Sequence, residues 1–272
     1  MTANLAQAPV RPVLIKLGGR ALEGAGAVRE FAAALARLGR PALLVHGGGA
    51  EVTTWSARMG IESRFEGGLR VTDMATLEVV TAVLAGLANK RLVAALRAAG
   101  VDAVGLAALD GGTLMVKQHA QAVLLGAVGE VEGVDTRLLD LLLADGRTPV
   151  LASVAASATG EILNVNADDA ASALAMAVRA TDLVLLSDTP GLKLDGIVVS
   201  ELRAAEFAAT LAHPQVEGGM RPKLAAAAAA VAGGVGRVHI ASWRGPDTLD
   251  SLLVTRTHGT LLHAGQITEV KV

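Results

Sequence analysis

The chain alternates short apolar runs, typical of buried strands, with longer segments of helical periodicity. The runs that predict strands lie at 13–17, 42–46, 148–153, 182–188 and 237–242. A first helix is predicted to follow the strand at 13–17 and to end near residue 38. Further helices are predicted over 50–60, 73–99, 136–145, 201–211, 219–233 and 246–254. Strands separated by helices favour a mainly parallel sheet covered on both faces, which is an open αβα sandwich of the α/β class.

The remaining segments fit around this pattern. Residues 63–72 predict a small hairpin that turns at Gly67 and Gly68, and residues 161–180 pass from a strand to a helix. Several β-like pieces between 100 and 135 predict a lid or a secondary sheet, and residues 259–262 predict a last short strand. Because no clear linker divides the chain, we expect a single domain over residues 1–272.

Composition narrows the range of functions. Hydrophobic residues make up 52% of the 272-residue chain, so a large core can be built. Aromatic residues make up only 2% and the net charge is −2, which leaves neither a base-stacking platform nor a basic surface for nucleic acid. Cysteine is absent, so disulfides and thiolate metal sites are excluded, and no metal site of the protein's own is predicted. With no signal peptide and no unbroken apolar run of about 18 residues, we expect a soluble, cytoplasmic protein that binds no membrane.

Polar and glycine residues collect where the predicted strands end. In parallel sheets, ligands bind at the carboxyl ends of the strands. The residues at or just after those ends, or at the start of the alanine-rich helix, are Lys16, Gly18, Gly19, His46, Gly47, Gly48, Gly49, Arg70, Asn164, Asn166, Asp168, Ser187, Asp188, Gly191, Gly218, Gly219 and Lys223.

This set is suited to anions. Glycines before a helix offer free backbone N–H groups, and Lys16, Lys223 and Arg70 supply positive charge. Asp168 could orient both lysines. The set contains no evident nucleophile, and His46 is expected to be a packed or hydrogen-bonded residue at the strand end, not a base. Phosphoryl transfer needs this balance, since positioning and charge stabilisation carry most of the catalysis.

Each feature also has a purely structural interpretation. A glycine run after a strand is as often a tight turn, Arg70 alone fits the surface of a hairpin, and "NVNADDAA" fits a helix cap. Lys16 is harder to explain in that way, because a charged residue inside an apolar strand rarely stays buried without a partner. The combination, more than any single residue, predicts a site.

Several stretches resemble those of a known family, the amino acid kinases. They are "IKLGG", "LLVHGGG", "GLRVTD", "GLANKRLV", "ILNVNADDAA", "LLSDTPGL", "GGMRPKLAAA" and "IASWR". The first and "LLSDTPG" occur widely in the family, whereas "GLRVTD" with "NVNAD" is similar to the branch that acts on N-acetyl-L-glutamate in arginine biosynthesis. The resemblance covers nearly the whole chain.

The resemblance implies a role for each matching residue. Lys16 and Lys223 would stabilise the phosphoryl group in transit, and Asp168 would orient them. The acylated amino acid would be held by Gly48, Gly49, Arg70 and Asn164. The nucleotide would be held by Gly18, Gly19, Asp188, Thr189, Pro190, Gly191, Leu192, Lys193, Gly218 and Gly219.

The resemblance also implies a reaction and an assembly. Mg-ATP would phosphorylate the γ-carboxylate of N-acetyl-L-glutamate directly and in line. No general base is required, because a carboxyl group with a pKa of about 4.3 is already ionised at pH 7. Residues 1–165 would form the substrate-binding and dimerisation lobe and residues 166–272 the nucleotide-binding lobe of a homodimer.

Two departures and two alternatives accompany this interpretation. Arg221 stands where the family commonly has an apolar residue, and we expect it to face solvent. Few residues precede the first strand and they include Pro9 and Pro12, so we expect a dimer that arginine does not inhibit. The alternatives are a kinase of carrier-protein-linked α-aminoadipate in lysine biosynthesis and a non-catalytic binding protein of the same fold.

Overall fold

The computed structural model describes residues 10–18 and 24–265. An eight-stranded sheet forms the centre of the molecule. The sheet is parallel except where β16 runs antiparallel to β15. This confirms the predicted mainly parallel α/β architecture. In spatial order, with strands numbered along the chain, it consists of β14 (Glu201–Arg203), β16 (Thr260–His263), β15 (Arg237–Ser242), β11 (Asp182–Ser187), β1 (Val13–Leu17), β2 (Ala42–His46), β8 (Thr148–Ala152) and β5 (Ala103–Ala107).

A second, smaller sheet lies beside the first. It closes on itself and contains β6 (Leu114–Gln118), β7 (Val128–Val134), β9 (Val154–Ser157) and β10 (Ile162–Val165). The secondary sheet predicted between 100 and 135 is therefore present, but β5 belongs to the main sheet, and the short helix α5 (Ala122–Leu125) replaces one of the predicted β-like pieces. The strand predicted at the start of the segment 161–180 is β10, and it belongs to the smaller sheet.

Two hairpins complete the β structure. The hairpin predicted over 63–72 is confirmed as β3 (Phe65–Glu66) and β4 (Leu69–Arg70). A second pair, β12 (Lys193–Leu194) and β13 (Ile197–Val198), follows β11.

The helices cover both faces of the main sheet. They are α1 (Gly24–Leu38), α2 (Gly49–Arg58), α3 (Met74–Thr81), α4 (Asn89–Ala98), α6 (Arg137–Ala144), α7 (Ala167–Ala177), α8 (Phe207–Leu211), α9 (Met220–Ala232) and α10 (Thr248–Leu253). A π-helical segment, Ala82–Ala88, joins α3 to α4, so the helix predicted over 73–99 is continuous. By length and composition this run could cross a membrane, which is weak evidence because helices of soluble proteins also meet that test.

The predicted helix over 201–211 is wrong at its start. Residues Glu201–Arg203 form the edge strand β14, and the α-helix begins only at Phe207. Leu202 is buried between two exposed neighbours and pairs with Leu262 of β16. The two-residue alternation of a strand therefore prevails over the helical pattern that follows it.

Alternation along β1 divides the core and aims one side chain at the site. Val13 and Ile15 pack with α1 and α4 on one face of the sheet. Leu14 packs with α7 and α9 on the other face. Since alternate residues of a strand share a face, Lys16 lies on the same side as Leu14, toward the first turns of α7 and α9.

Candidate active site

Three charged side chains meet below the carboxyl end of β1. Lys16 Nζ lies 2.7 Å from Asp168 Oδ1, and Lys223 Nζ donates a hydrogen bond of 2.9 Å to Asp168 Oδ2. All three residues are buried, with relative exposures between 6% and 7%. One carboxylate thus holds two lysines that come from a strand and a helix distant in sequence.

Helix packing holds this trio in place. Asp168 lies in the first turn of α7, which Asn166 caps by accepting hydrogen bonds from the N–H groups of Asp168 and Asp169. One turn further along, Ser172 Oγ donates to the carbonyl of Ala226 in α9 at 2.9 Å. Because Lys223 lies in the first turn of α9, this buried bond sets the register between the two helices that carry the pair.

The trio carries a net positive charge, since two lysines share one carboxylate. Burial lowers the pKa of Lys16, as does the nearby Lys223 ammonium, while Asp168 opposes both effects. Burial alone would raise the pKa of Asp168, but the two lysines outweigh it and hold that pKa below its usual range. Asp168 is therefore ionised at neutral pH, and it supports the charged form of Lys16.

A cavity of about 240 Å³ opens above the trio. The structure brings all the predicted catalytic and substrate-binding residues to it: Lys16, Gly48, Gly49, Arg70, Asn164 and Asp168 line it, and Lys223 bonds to Asp168 from the adjoining helix. Ser153 and Val128 also contribute to its wall. Its polar lining comes from the main sheet, the small sheet and the β3–β4 hairpin, which are elements from separate parts of the chain.

Arg70 is a buried residue, not a surface residue of the hairpin. Its Nη2 donates to the Gly49 carbonyl at 2.7 Å and to Thr53 Oγ1 at 2.8 Å, while Nη1 donates to Ser63 Oγ at 2.8 Å. Its guanidinium also lies 4.7 Å from the ring centre of Phe65. These contacts hold the planar cation in a fixed orientation at the cavity wall, where it can recognise a carboxylate.

The glycine loop between β2 and α2 forms another part of the wall. Gly48 and Gly49 stand at the start of α2, where the N–H groups have no acceptor inside the helix. A Cβ atom on Gly48 would lie 2.7 Å from Leu84 Cδ2, so a side chain there would require the end of Leu84 to move. His46 is buried and hydrogen-bonded through both ring nitrogens, as expected of a strand-end residue.

The predicted nucleotide-binding residues occupy three positions. Gly18 follows β1 and donates its N–H to the Leu186 carbonyl at 2.8 Å. The run from Asp188 to Lys193 follows β11, and there Thr189 Oγ1 lies 2.9 Å from Ser187 Oγ and the Leu192 N–H donates to Thr260 Oγ1 at 2.8 Å. The turn of Gly218 and Gly219 precedes α9. Gly19 lies outside the described residues, as do residues 1–9, on which the arginine expectation depends.

Two further residues of the predicted nucleotide region have a clear structural setting. Gly191 has φ 148°, and a Cβ atom there would lie 2.7 Å from Thr260 Oγ1, so the backbone and the close packing both favour glycine at this position. Arg221 is exposed, as expected, and its Nε donates to the Val216 carbonyl at 3.1 Å.

Several polar residues of the site were missed in the sequence. Thr53 and Ser63 hold Arg70, Thr72 Oγ1 accepts from Asn164 Nδ2 at 3.1 Å, and Ser153 lines the cavity. Thr72 lies inside the quoted "GLRVTD" motif, and Thr53 follows Gly49 by one helical turn. Short hydroxyl side chains are too common in loops and helices to be singled out without their partners.

Comparison with known proteins gives a consistent result. A sequence model of the amino acid kinase family matches residues 11–242. An acetylglutamate kinase of Methanopyrus kandleri is 46% identical over 230 residues, which cover 81% of this chain and 91% of that protein. An acetylglutamate kinase of Symbiobacterium thermophilum is 40% identical over 253 residues, covering 88% and 86%. The crystal structure of smu.665 from Streptococcus mutans UA159 superimposes with a TM-score of 0.81 at 28% identity, covering 93% of this chain and 98% of that one.

Proposed function

This chain belongs to the amino acid kinase family and is a kinase, and we propose that it transfers the γ-phosphoryl group of Mg-ATP to the γ-carboxylate of N-acetyl-L-glutamate. The observation that carries the proposal is the Lys16–Asp168–Lys223 trio, which lies at a cavity lined by anion-binding groups. Relatives named acetylglutamate kinase, at 40% and 46% identity, support the choice of acceptor.

The residues divide the reaction between them. Arg70 grips the α-carboxylate of the acceptor, Asn164 bonds its acetamido group, and the N–H groups of Gly48 and Gly49 face the reacting oxygens. Lys16 and Lys223 neutralise the charge that spreads over the phosphoryl oxygens in the transition state. Because these cations are buried, each is worth more than it would be in water.

The attacking γ-carboxylate is ionised at neutral pH, so the reaction needs no general base. His46 is unsuited to that task, since both its ring nitrogens are engaged, by the Gly47 carbonyl and by Asn89. A direct in-line attack therefore yields the acyl phosphate and ADP.

We treat Mg²⁺ as part of the nucleotide substrate. Within 10–18 and 24–265, no group of three or more acidic or histidine side chains could hold a metal ion. The phosphates would bring the ion with them, and the glycines at 18, 191, 218 and 219 would leave room for the nucleotide along the strand ends. Exposed Asp188 and Lys193 flank that region.

We also propose that the protein is a cytoplasmic homodimer that associates through the exposed apolar side of α3 and β10. Met74 is 68% exposed and Ile162 is 39% exposed, and both line a cavity of about 870 Å³ between these elements. Such a patch favours contact with another protein surface.

Analytical sedimentation tests the proposed dimer. The double variant Met74→Lys, Ile162→Lys should be monomeric, whereas Met59→Lys, at another exposed methionine, should remain dimeric. A wild-type monomer would refute the proposal.

Trapping the acyl phosphate tests the activity. With Mg-ATP, N-acetyl-L-glutamate and hydroxylamine, the wild type should form an acyl hydroxamate, measured with and without arginine. Lys223→Ala should lower turnover by at least about 100-fold while circular dichroism stays native. Lys117→Ala, a matched lysine that is 55% exposed on the small sheet, should keep full activity.

The acceptor is identified in the same assay. Turnover of N-acetyl-L-glutamate supports the proposal. If the protein binds ATP but phosphorylates only carrier-linked α-aminoadipate, the choice of acceptor is wrong and the alternative kinase is right. If neither acceptor is phosphorylated, both proposed acceptors are wrong.

A further inference from the structure

We propose that His46 and Asn89 form a positioning unit that fixes the peptide between Gly47 and Gly48 in its substrate-binding orientation. The inference deepens the proposed function, on which its kinetic part rests. Neither residue is proposed to touch the substrate. They act through the glycine loop, which forms part of the cavity wall.

Asn89 joins three strands from the start of α4. It is fully buried, and its Nδ2 lies 2.9 Å from the Val150 carbonyl of β8, 3.3 Å from the Leu106 carbonyl of β5 and 3.1 Å from His46 Nε2 at the end of β2. Its Oδ1 accepts from Lys90 Nζ at 3.1 Å. Two carbonyl acceptors on one side and an ammonium donor on the other allow only one orientation of the amide.

This orientation determines the state of His46. Asn89 Nδ2 has two protons and accepts none, and its two shorter contacts, to the Val150 carbonyl at 2.9 Å and to His46 Nε2 at 3.1 Å, use them. His46 Nε2 therefore accepts and carries no proton. The other nitrogen, Nδ1, lies 2.9 Å from the Gly47 carbonyl oxygen, which can only accept. The imidazole is therefore neutral, with its single proton on Nδ1.

The hydrogen bond to Gly47 has a geometric consequence. In a trans peptide the C=O and N–H groups point in opposite directions. If the Gly47 carbonyl is held toward His46, the N–H of Gly48 points away from it. Since Gly48 lines the substrate cavity, this donor is aimed where an anion would bind. Glycine itself cannot enforce such an orientation, because its backbone is free to rotate.

The surroundings of His46 favour the neutral ring. Burial lowers the pKa of His46, the Gly47 carbonyl opposes this, and the Lys90 ammonium adds to the lowering. The strand neighbours of His46 are apolar, namely Leu17 of β1 and Ala152 of β8. His46 also lines a second cavity, of about 820 Å³, to which four charged residues contribute: Arg29 of α1, Glu51 and Arg58 of α2, and Arg91 of α4. Arg91 is paired with Glu51.

The tautomer can be tested without any activity. In protein labelled with ¹⁵N-histidine, long-range ¹H–¹⁵N correlations should show His46 protonated at Nδ1 and unprotonated at Nε2 between pH 6.5 and 8. The signal is assigned by its loss in His46→Asn. A charged ring, or a neutral ring protonated at Nε2, would overturn the inference whatever the substrate is.

Kinetics then test the positioning role. His46→Leu removes both hydrogen bonds and should raise KM for N-acetyl-L-glutamate at least tenfold, while KM for Mg-ATP changes less than twofold. His46→Asn places an amide donor near the position of Nδ1 and should recover most of the loss. Asn89→Leu frees His46 Nε2 and should also raise KM for the acceptor selectively.

The outcomes separate this inference from the proposed function. If the wild type turns over N-acetyl-L-glutamate and a folded His46→Leu variant has unchanged KM values, the positioning role is wrong. Equal loss for both substrates would indicate a general structural role and would also overturn it. If the wild type does not use this acceptor at all, the proposed function fails, while the tautomer measurement still tests the His46–Asn89 unit.

Discussion

Replacing Asp168 with asparagine tests the central electrostatic argument. The change keeps the size of the side chain and removes the negative charge shared by Lys16 and Lys223. Breaking a buried ion pair by removing one partner costs about 3 to 5 kcal/mol, because the remaining charge stays buried without compensation. For a chain of this length that corresponds to a Tm lower by roughly 6 to 10 °C. Turnover should fall about 100- to 1,000-fold, since the cations lose their orientation.

The loss of Asp168 should also change how the free energy of unfolding depends on pH. In the wild type, Asp168 is the group that opposes the lowering of the Lys16 pKa. Without it, burial and Lys223 act alone, and the folded-state pKa of Lys16 falls further below its ordinary value of 10.5. Between that lowered pKa and 10.5 the unfolded chain binds more protons, so the free energy of unfolding rises with pH. In the Asp168→Asn variant this rise should begin at a lower pH than in the wild type.

The assay is urea unfolding at a series of pH values between 6 and 10, with the hydroxamate assay in parallel. Asp169→Asn is the matched control, because Asp169 is the adjacent residue in the same helical turn, while both lysines pair with Asp168. Burial, followed by Asp168, raises the pKa of Asp169 to about 6, so removing this carboxyl should stabilise the fold at pH 7 and have no effect below about pH 4. An Asp168→Asn variant as stable as the wild type, with the same slope against pH, would refute the argument.

Three further substitutions test the cavity and the helix register. Arg70→Lys removes the planar contacts to Gly49, Thr53 and Ser63, and it should raise KM for N-acetyl-L-glutamate about 10- to 100-fold with little change in KM for Mg-ATP; an equal change in both would contradict this role. Gly48→Ala should cost about 1 to 3 kcal/mol through its contact with Leu84. In urea unfolding, the double change with Leu84→Ala should cost less than the sum of the two single changes, and strict additivity would be the contrary result. Ser172→Ala should lower the free energy of unfolding by about 1 kcal/mol and reduce turnover several-fold, because it loosens α7 against α9; an unchanged rate would show that the bond does not position the trio.

The wrong predictions concern segments whose local sequence does not distinguish the alternatives. The three residues 201–203 alternate between exposed and buried over too short a stretch to be told apart from the helical segment that follows. Only pairing with β16 makes them a strand. β10 has the composition of a strand in either sheet. Its pairing with β7 and β9 assigns it to the smaller one, and no single segment contains that information.

The sequence by itself determined the alternating architecture, the charged residue inside the first strand, the glycine loops and the family, because each of these is expressed within a few neighbouring residues. Only the tertiary structure decided which groups meet. Lys16 reaches Asp168 because strand alternation places it on the α7 and α9 face, and helix packing brings Lys223 to the same carboxylate. His46 and Asn89 meet in the same way, 43 positions apart. A residue's neighbours in space are set by strand register and helix packing, which act over the whole chain and leave no mark in the local sequence.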